Sequence, residues 1–265
     1  MSETPAAPAG IEARFDMGRV IARTFSAVGA NFLVYYLLGL VLAGAPLLVM
    51  QLPGLNLLTS NDPAAFANPF AVFGPVYFSG LALYVIGAFV LQAAVTHGAV
   101  AHFNGQRASF GELLATGGRF FLVALGIAIV AGIGIGIGLV FLFVPGLILM
   151  TLWAVAVPSA VIERMGVFGA MGRSRNLTRS HRWAIFALLI AIGLLTYIIS
   201  LVAQVVGGAV GQAAGGQVLL GMAVAGTLIA PVASVIGAVS ASAIYFELRS
   251  VKEGVGPAQL ASVFD

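Results

Sequence analysis

Cysteine is absent from the 265 residues. That excludes a disulfide, a thiolate metal site and a cysteine nucleophile, and it removes cysteine usage as a guide to redox compartment. Charge is scarce too: 12 basic and 9 acidic residues make up 8% of the chain, where a soluble domain carries about 25%. Such a shortage is incompatible with a soluble domain, and equally with a disordered chain, which depends on charge and polarity. What fills the sequence is apolar, 60% hydrophobic with a mean hydropathy of +1.08. A chain of this kind is an integral membrane protein built from several helices.

The apolar residues fall into long runs separated by short polar stretches. Thr24 to Leu52 is the first, broken only by Asn31 and ended by Pro53-Gly54 ahead of a Pro/Asn/Asp loop through Pro69. Phe120 to Ile162 is 43 residues without a charge. At 1.5 Å per residue a single helix of that length would be about twice the ~30 Å hydrocarbon thickness, so it must hold two spans. Pro145-Gly146 is the expected hairpin between them, since proline ends a helix and glycine permits the turn. The predicted fold class is therefore all-α and polytopic, with spans at about 24–52, 76–97, 120–143, 146–162, 183–206 and 218–246. The runs are continuous rather than alternating, which argues against a β-barrel. Residues 1–10 read as a disordered tail, 11–254 as one transmembrane domain and 255–265 as a cytoplasmic tail. The first run is too long for a cleaved signal and reads as a retained anchor.

Six spans put both termini on one side, and the charges agree. Arg14, Arg19 and Arg23 precede the first span, and Arg107 and Arg119 lie between the second and third. Arg164, Arg173, Arg175, Arg179 and Arg182 lie between the fourth and fifth, and Arg249 and Lys252 follow the sixth. These are all twelve basic residues; the opposite loops hold only Asp62. By the positive-inside rule the basic side is cytoplasmic.

The segments leading into the odd-numbered spans resemble one another: Phe15-Asp-Met-Gly-Arg19, Phe110-Gly-Glu-Leu113 and Phe168-Gly-Ala-Met171. Ser109 and Glu112 have capping-box spacing. The pattern predicts three units, each a short interfacial helix followed by a transmembrane hairpin.

Few residues invite chemistry. No charge sits mid-span, which argues against an ion-coupled pump. Gln92, Gln204, Thr96 and Thr196 are the candidates for polar lining, though such residues mostly hydrogen-bond between helices. His97, His102 and His181 have no metal-ligand spacing, so no metal or cofactor is expected. Gly132-Ile-Gly-Ile-Gly-Ile-Gly138 lacks the Lys-Ser/Thr of a phosphate loop. Its pairs Gly132/Gly136 and Gly134/Gly138 read instead as overlapping GxxxG packing motifs. Pro158 and Pro231 are expected to kink the fourth and sixth helices. Glu163 and Glu247 end those helices at the arginine-bearing face, where pairing with an arginine such as Arg173 is expected, because an unpaired charge there is costly.

The stretch from Arg173 to Arg182 is the most informative. Arg175, Arg179 and Arg182 are spaced i, i+4 and i+7, on one face of a helix, with Leu177 nearly opposite. Beside membrane spans the nearer polyanion is a lipid headgroup rather than nucleic acid. The three arginines are therefore the candidate contacts to anionic lipid.

Several of these segments resemble a known family. Pro145-Gly-Leu-Ile-Leu-Met150, Val157-Pro-Ser-Ala-Val-Ile-Glu163, Arg175-Asn-Leu-Thr-Arg179, Tyr245-Phe-Glu-Leu-Arg249 and Lys252-Glu-Gly254 look like the membrane domain of bacterial glycerophosphoryl diester phosphodiesterases and related six-helix inner-membrane proteins of uncharacterised function. The likeness covers residues 110–254 and departs from the family pattern at Glu247 and Asn176. It implies architecture and a bacterial inner-membrane location. In such phosphodiesterases the chemistry belongs to a separate soluble TIM barrel, which is not expected in the 16 residues after Arg249, so no catalytic residue carries over. The expected function is non-enzymatic, a membrane scaffold or lipid-interacting module that serves a protein partner of unknown identity. The alternative is a channel or transporter for an uncharged or amphipathic small molecule.

Overall fold

The structure is a computed structural model that describes residues 15–59, 74–141 and 143–254. The two predicted tails and the loop carrying Asp62 lie outside the described residues. Among those residues there is no strand. Six helical stretches are long and apolar enough to cross a membrane: Phe32–Asn56, Pro75–Phe103, Phe110–Phe141, Phe143–Ile162, Arg182–Ala213 and Val218–Glu253.

The chain opens with α1 (Met17–Ala30), capped by Asp16, whose side chain accepts from the Arg19 N–H at 3.2 Å. Val20, Thr24 and Ala27 face the bundle while Met17, Ile21 and Phe25 face outward. The apolar run predicts a span from residue 24, but the helix stops at Asn31. Its side-chain amide donates to the Ala27 carbonyl at 3.1 Å, offering the backbone a local alternative to continuing the helix. The first span then consists of α2 (Phe32–Gly39), a π-helical turn at Leu40–Gly44 and α3 (Ala45–Thr59).

The second span is α4 (Pro75–Phe103), with proline in its first turn, where no N–H is needed. Next comes α5 (Phe110–Phe141). At its start Ser109 N–H donates to Glu112 Oε2 at 2.7 Å, and Glu112 N–H donates to Ser109 Oγ at 3.3 Å, the reciprocal bonds of a capping box. This helix runs unbroken into the third span, so the second predicted interfacial segment is not a separate helix.

The fourth span is broken into α6 (Phe143–Leu152) and α7 (Ala156–Ile162). Two expectations change here. Pro145-Gly146 does not form the hairpin; it lies in the first turns of α6, and Gly146 lets α5 approach closely. A Cβ on Gly138 would lie 2.8 Å from the Gly146 backbone. Pro158 does not kink a continuous helix either. It sits in the first turn of α7 and the break precedes it at residues 153–155, because the proline ring excludes the helical position of the carbonyl four residues earlier, that of Ala154.

A short helix, α8 (Val167–Thr178), returns across that break, followed by the fifth and sixth spans, α9 (Arg182–Ala213) and α10 (Val218–Glu253). Ser174 of α8 ties the broken ends together: its hydroxyl donates to the Leu152 carbonyl at 2.7 Å and accepts from the Val155 N–H at 3.3 Å. Pro231 stays inside α10. Its missing N–H leaves the Thr227 carbonyl, four residues earlier, without a helical donor; one residue further on, Tyr36 Oη donates to the Leu228 carbonyl at 3.2 Å and ties the first span to the last.

Candidate functional site

The polar chemistry of the molecule collects at the end of the bundle where α1, α8 and the C-terminal turns of α10 meet. It divides into a set of paired charges and a set of unpaired ones.

Glu247 on α10 is only 1% exposed. Four donors surround it. Arg19 approaches with Nη2 at 2.6 Å and Nε at 3.0 Å, Arg23 with Nη1 at 2.6 Å, and the Asp16 N–H lies at 3.3 Å. Arg23 also stacks over the Phe246 ring at 4.8 Å. The hydrogen bond to Glu247 pushes the Arg19 pKa above its ordinary value. Together these bonds dock the N-terminal helix onto the last span.

Glu163 follows α7. The next residue, Arg164, has φ +53°, and the Met165 N–H bonds the Ala160 carbonyl at 3.1 Å, the pattern of a Schellman turn. That turn leaves Glu163 facing α8, where Arg173 Nε meets it at 2.9 Å. Tyr245 Oη donates to Glu163 at 2.8 Å, Arg249 reaches Tyr245 Oη at 3.3 Å, and Arg249 Nε pairs with Glu253 at 2.9 Å. Arg173 closes the ring by pairing with Glu253 as well. Burial works to lower the Arg173 pKa, but the bonds to Glu163 and Glu253 outweigh it and the net shift is upward. Of the residues expected to form the ion pair, Glu163 and Arg173 meet each other, while Glu247 is held by α1 instead. Arg19, Arg23, Tyr245, Arg249 and Glu253 were missed by sequence reasoning. The i, i+4 spacing of Arg19 and Arg23 was the one available signal for two of them, since it puts both on one helical face.

Arg107, Arg119 and Arg164 are also in no ion pair among the described residues, but Arg175, Arg179 and Arg182 are the three that share a cavity. Together with Gly172 and Asn176 they line one open cavity of about 530 Å³. The reason differs from the expected one. They do not share a helical face, because α8 ends at Thr178 and Arg182 is the first residue of α9. The turn between the helices brings them together, held by His181 N–H to the Thr178 carbonyl at 3.1 Å. Leu177 is buried on the other side. Ion pairs among the described residues take up Arg19, Arg23, Arg173 and Arg249, and none includes these three arginines. Arg182 Nε is buried with no partner among the described residues. The N-terminus of α9, with its positive dipole end, adds to the field there. Next to it the His181 ring packs against Phe15 at 5.5 Å; burial, then the charge of Lys252, pushes its pKa down.

Elsewhere several hydroxyls bond to carbonyls three or four residues earlier in sequence. Thr196 Oγ1 donates to the Ile192 carbonyl, Ser159 to Val155, Thr227 to Ala223 and Ser242 to Ala238. Thr96 is buried without a partner among the described residues. No group of three or more His, Asp or Glu fit for a metal ion occurs among the described residues. The glycine motifs separate: a Cβ on Gly134 would meet the Trp153 ring at 2.9 Å, whereas Gly132 and Gly136 have nothing within 4 Å. Comparison with protein-family models, with curated proteins and with solved structures finds no match to this chain.

Proposed function

We propose that this protein is a non-catalytic, anionic-lipid-binding scaffold module of a bacterial inner membrane, with both termini and the arginine edge on the cytoplasmic side. The observation that carries the reading is the cavity itself: three arginines without carboxylate partners face one open space at the end of a membrane bundle. Guanidinium groups are fixed donors with a planar fork suited to phosphate, and they hold anions rather than shuttle protons. A binding role fits that chemistry. The orientation is supported by the alternation of loops rich in Lys and Arg with loops that have neither. The likeness to the phosphodiesterase membrane domain is part of this proposal and draws on the resembling segments; Glu163, Arg175–Arg179 and Tyr245–Arg249 come to this edge.

Each basic residue near an anionic leaflet contributes about 1 kcal/mol, so the cluster supplies about 3 kcal/mol, close to a hundredfold preference. Replacing all three by Gln is expected to leave insertion intact and to strip most co-purifying anionic lipid, read by native mass spectrometry. Unchanged lipid retention would reject the reading. A cysteine at Asn61 is expected to react with an impermeant thiol reagent from outside, and one at Gln106 only after lysis; the reverse result would overturn the orientation.

A further inference from the structure

A second hollow lies beside the cationic cavity, an apolar groove of about 330 Å³. One wall is α6, with Leu147, Ile148 and Thr151; the other is the start of α9, with Arg182, Trp183 and Phe186. The Thr151 hydroxyl donates to the Ile148 carbonyl at 2.7 Å, so its hydrogen-bonding capacity is used within the helix and the groove stays apolar. Arg182 lines both hollows. Trp183 is 85% exposed, its ring edge-on to Phe186 at 6.3 Å. Tryptophan settles at the boundary between headgroups and acyl chains. The order Arg182, Trp183, Phe186 along the first turns of α9 therefore runs from phosphate depth into hydrocarbon.

We infer that cavity and groove are two halves of one site for a single anionic phospholipid that enters sideways from the bilayer. Its phosphate sits among Arg175, Arg179 and Arg182, and one acyl chain lies along α6 between Ile148 and Trp183. The inference rests on the lipid-binding reading above and adds the ligand's second half. Charge complementarity at one end and an apolar wall at the other, joined at Arg182, select an amphiphile over free phosphate. Both volumes fall in the range of ligand pockets, about 300–1,000 Å³. The bilayer already solvates an acyl chain as well as a leucine-lined groove does, so the groove contributes packing rather than transfer free energy. The arginines set the preference for anionic lipid, and the groove sets where its chain lies.

The test uses the full chain in nanodiscs of phosphatidylglycerol and phosphatidylcholine in equal parts. The sequence has two tryptophans, so Trp153→Phe leaves Trp183 as the sole reporter. Bromine carried on the phosphatidylglycerol chains is expected to quench Trp183 at least about twice as strongly as bromine on the phosphatidylcholine chains. Filling the groove with Val144→Phe and Ile148→Phe, at outward-facing positions, is expected to erase that difference while retained phosphatidylglycerol falls only about threefold, the size of one membrane packing contact. Should Trp153→Phe fail to fold, the same difference is read in the native chain and must vanish in Trp183→Phe. Equal quenching by the two mixtures, in a protein whose phosphatidylglycerol is lost only when the three arginines become Gln, overturns the shared site and leaves the headgroup reading standing. Retention of phosphatidylglycerol by that triple variant overturns the headgroup reading itself.

Discussion

Arg173 and Arg175 stand two residues apart on the same short helix, yet they belong to different electrostatic regimes. Arg173 faces the bundle, where Glu163 and Glu253 hold it. Arg175 faces the opposite way into the cavity, with Arg179 and Arg182 and no carboxylate among the described residues. The same side chain is a structural tie in one position and an open donor in the other. The difference lies in what the neighbouring spans bring. The ends of α7 and α10 supply carboxylates to one side of α8, and the start of α9 supplies only another arginine to the other. Paired charges at this edge hold helices in place; the three in the cavity have no carboxylate among the described residues to hold.

The sharpest way to break this contrast is to strand a buried carboxylate. Arg19→Gln combined with Arg23→Gln leaves Glu247 in its buried position without either cation. The expected cost is about 3 kcal/mol, that of a buried charge losing its partners, together with early proteolysis of α1. A thermal or denaturant midpoint within error of the wild type would mean that Glu247 does not hold this edge together. Replacement of the exposed Arg175 and Arg179 by Gln, in contrast, is expected to stay within about 0.5 kcal/mol of wild-type stability, as changes on an open surface do.

A second variant converts one regime into the other. Arg175→Glu places a carboxylate four residues before Arg179, the favourable order for a helical ion pair. The formal charge of the cluster falls by two, and about 2 kcal/mol of attraction to anionic lipid is lost with it, roughly thirtyfold. Stability is expected to hold or rise slightly. Lipid retention equal to the wild type in that variant would show that the cluster does not select by charge.

The spans were legible because the bilayer imposes a minimum apolar length on every crossing helix, and charge is nearly absent from such stretches. Their ends were less so. Nothing in the apolar run 24–52 shows that Asn31 turns its amide back on Ala27 and stops the helix. Likewise, the effect of Pro158 falls one turn before the residue that causes it. At the edge, the arginines of the cavity were legible because basic residues collect beside span ends on one face of a membrane protein. The bonds of Glu247 were not: its two arginines lie 228 and 224 residues away, and only the packing of the first helix on the last brings them together. The expectation that Arg175, Arg179 and Arg182 face one way was reached through a continuous helix, but the turn at 179–181 produces the convergence.

The smallest effect probes the border between the two regimes. His181 sits between Arg179 and Arg182, its ring against Phe15, and burial followed by Lys252 holds its pKa below the ordinary value near 6.5. The unfolded chain therefore binds a proton at a pH where the folded chain still refuses it, so stability rises with pH across that interval. The contribution is intact above about pH 6.5 and is lost as pH falls toward the depressed folded value. The ring is only partly buried, so the loss is expected to be slight. It should appear as a steeper fall of the unfolding midpoint between pH 7 and 5 in the wild type than in His181→Phe, which keeps an aromatic ring against Phe15. Anionic lipid in the neighbouring cavity would bring negative charge beside the ring and favour its protonated form. The wild-type fall should then shrink in phosphatidylglycerol nanodiscs and stay large in phosphatidylcholine alone. Identical slopes in wild type and His181→Phe would remove His181 from the account; a slope in the wild type that ignores the lipid would separate this histidine from the cavity beside it.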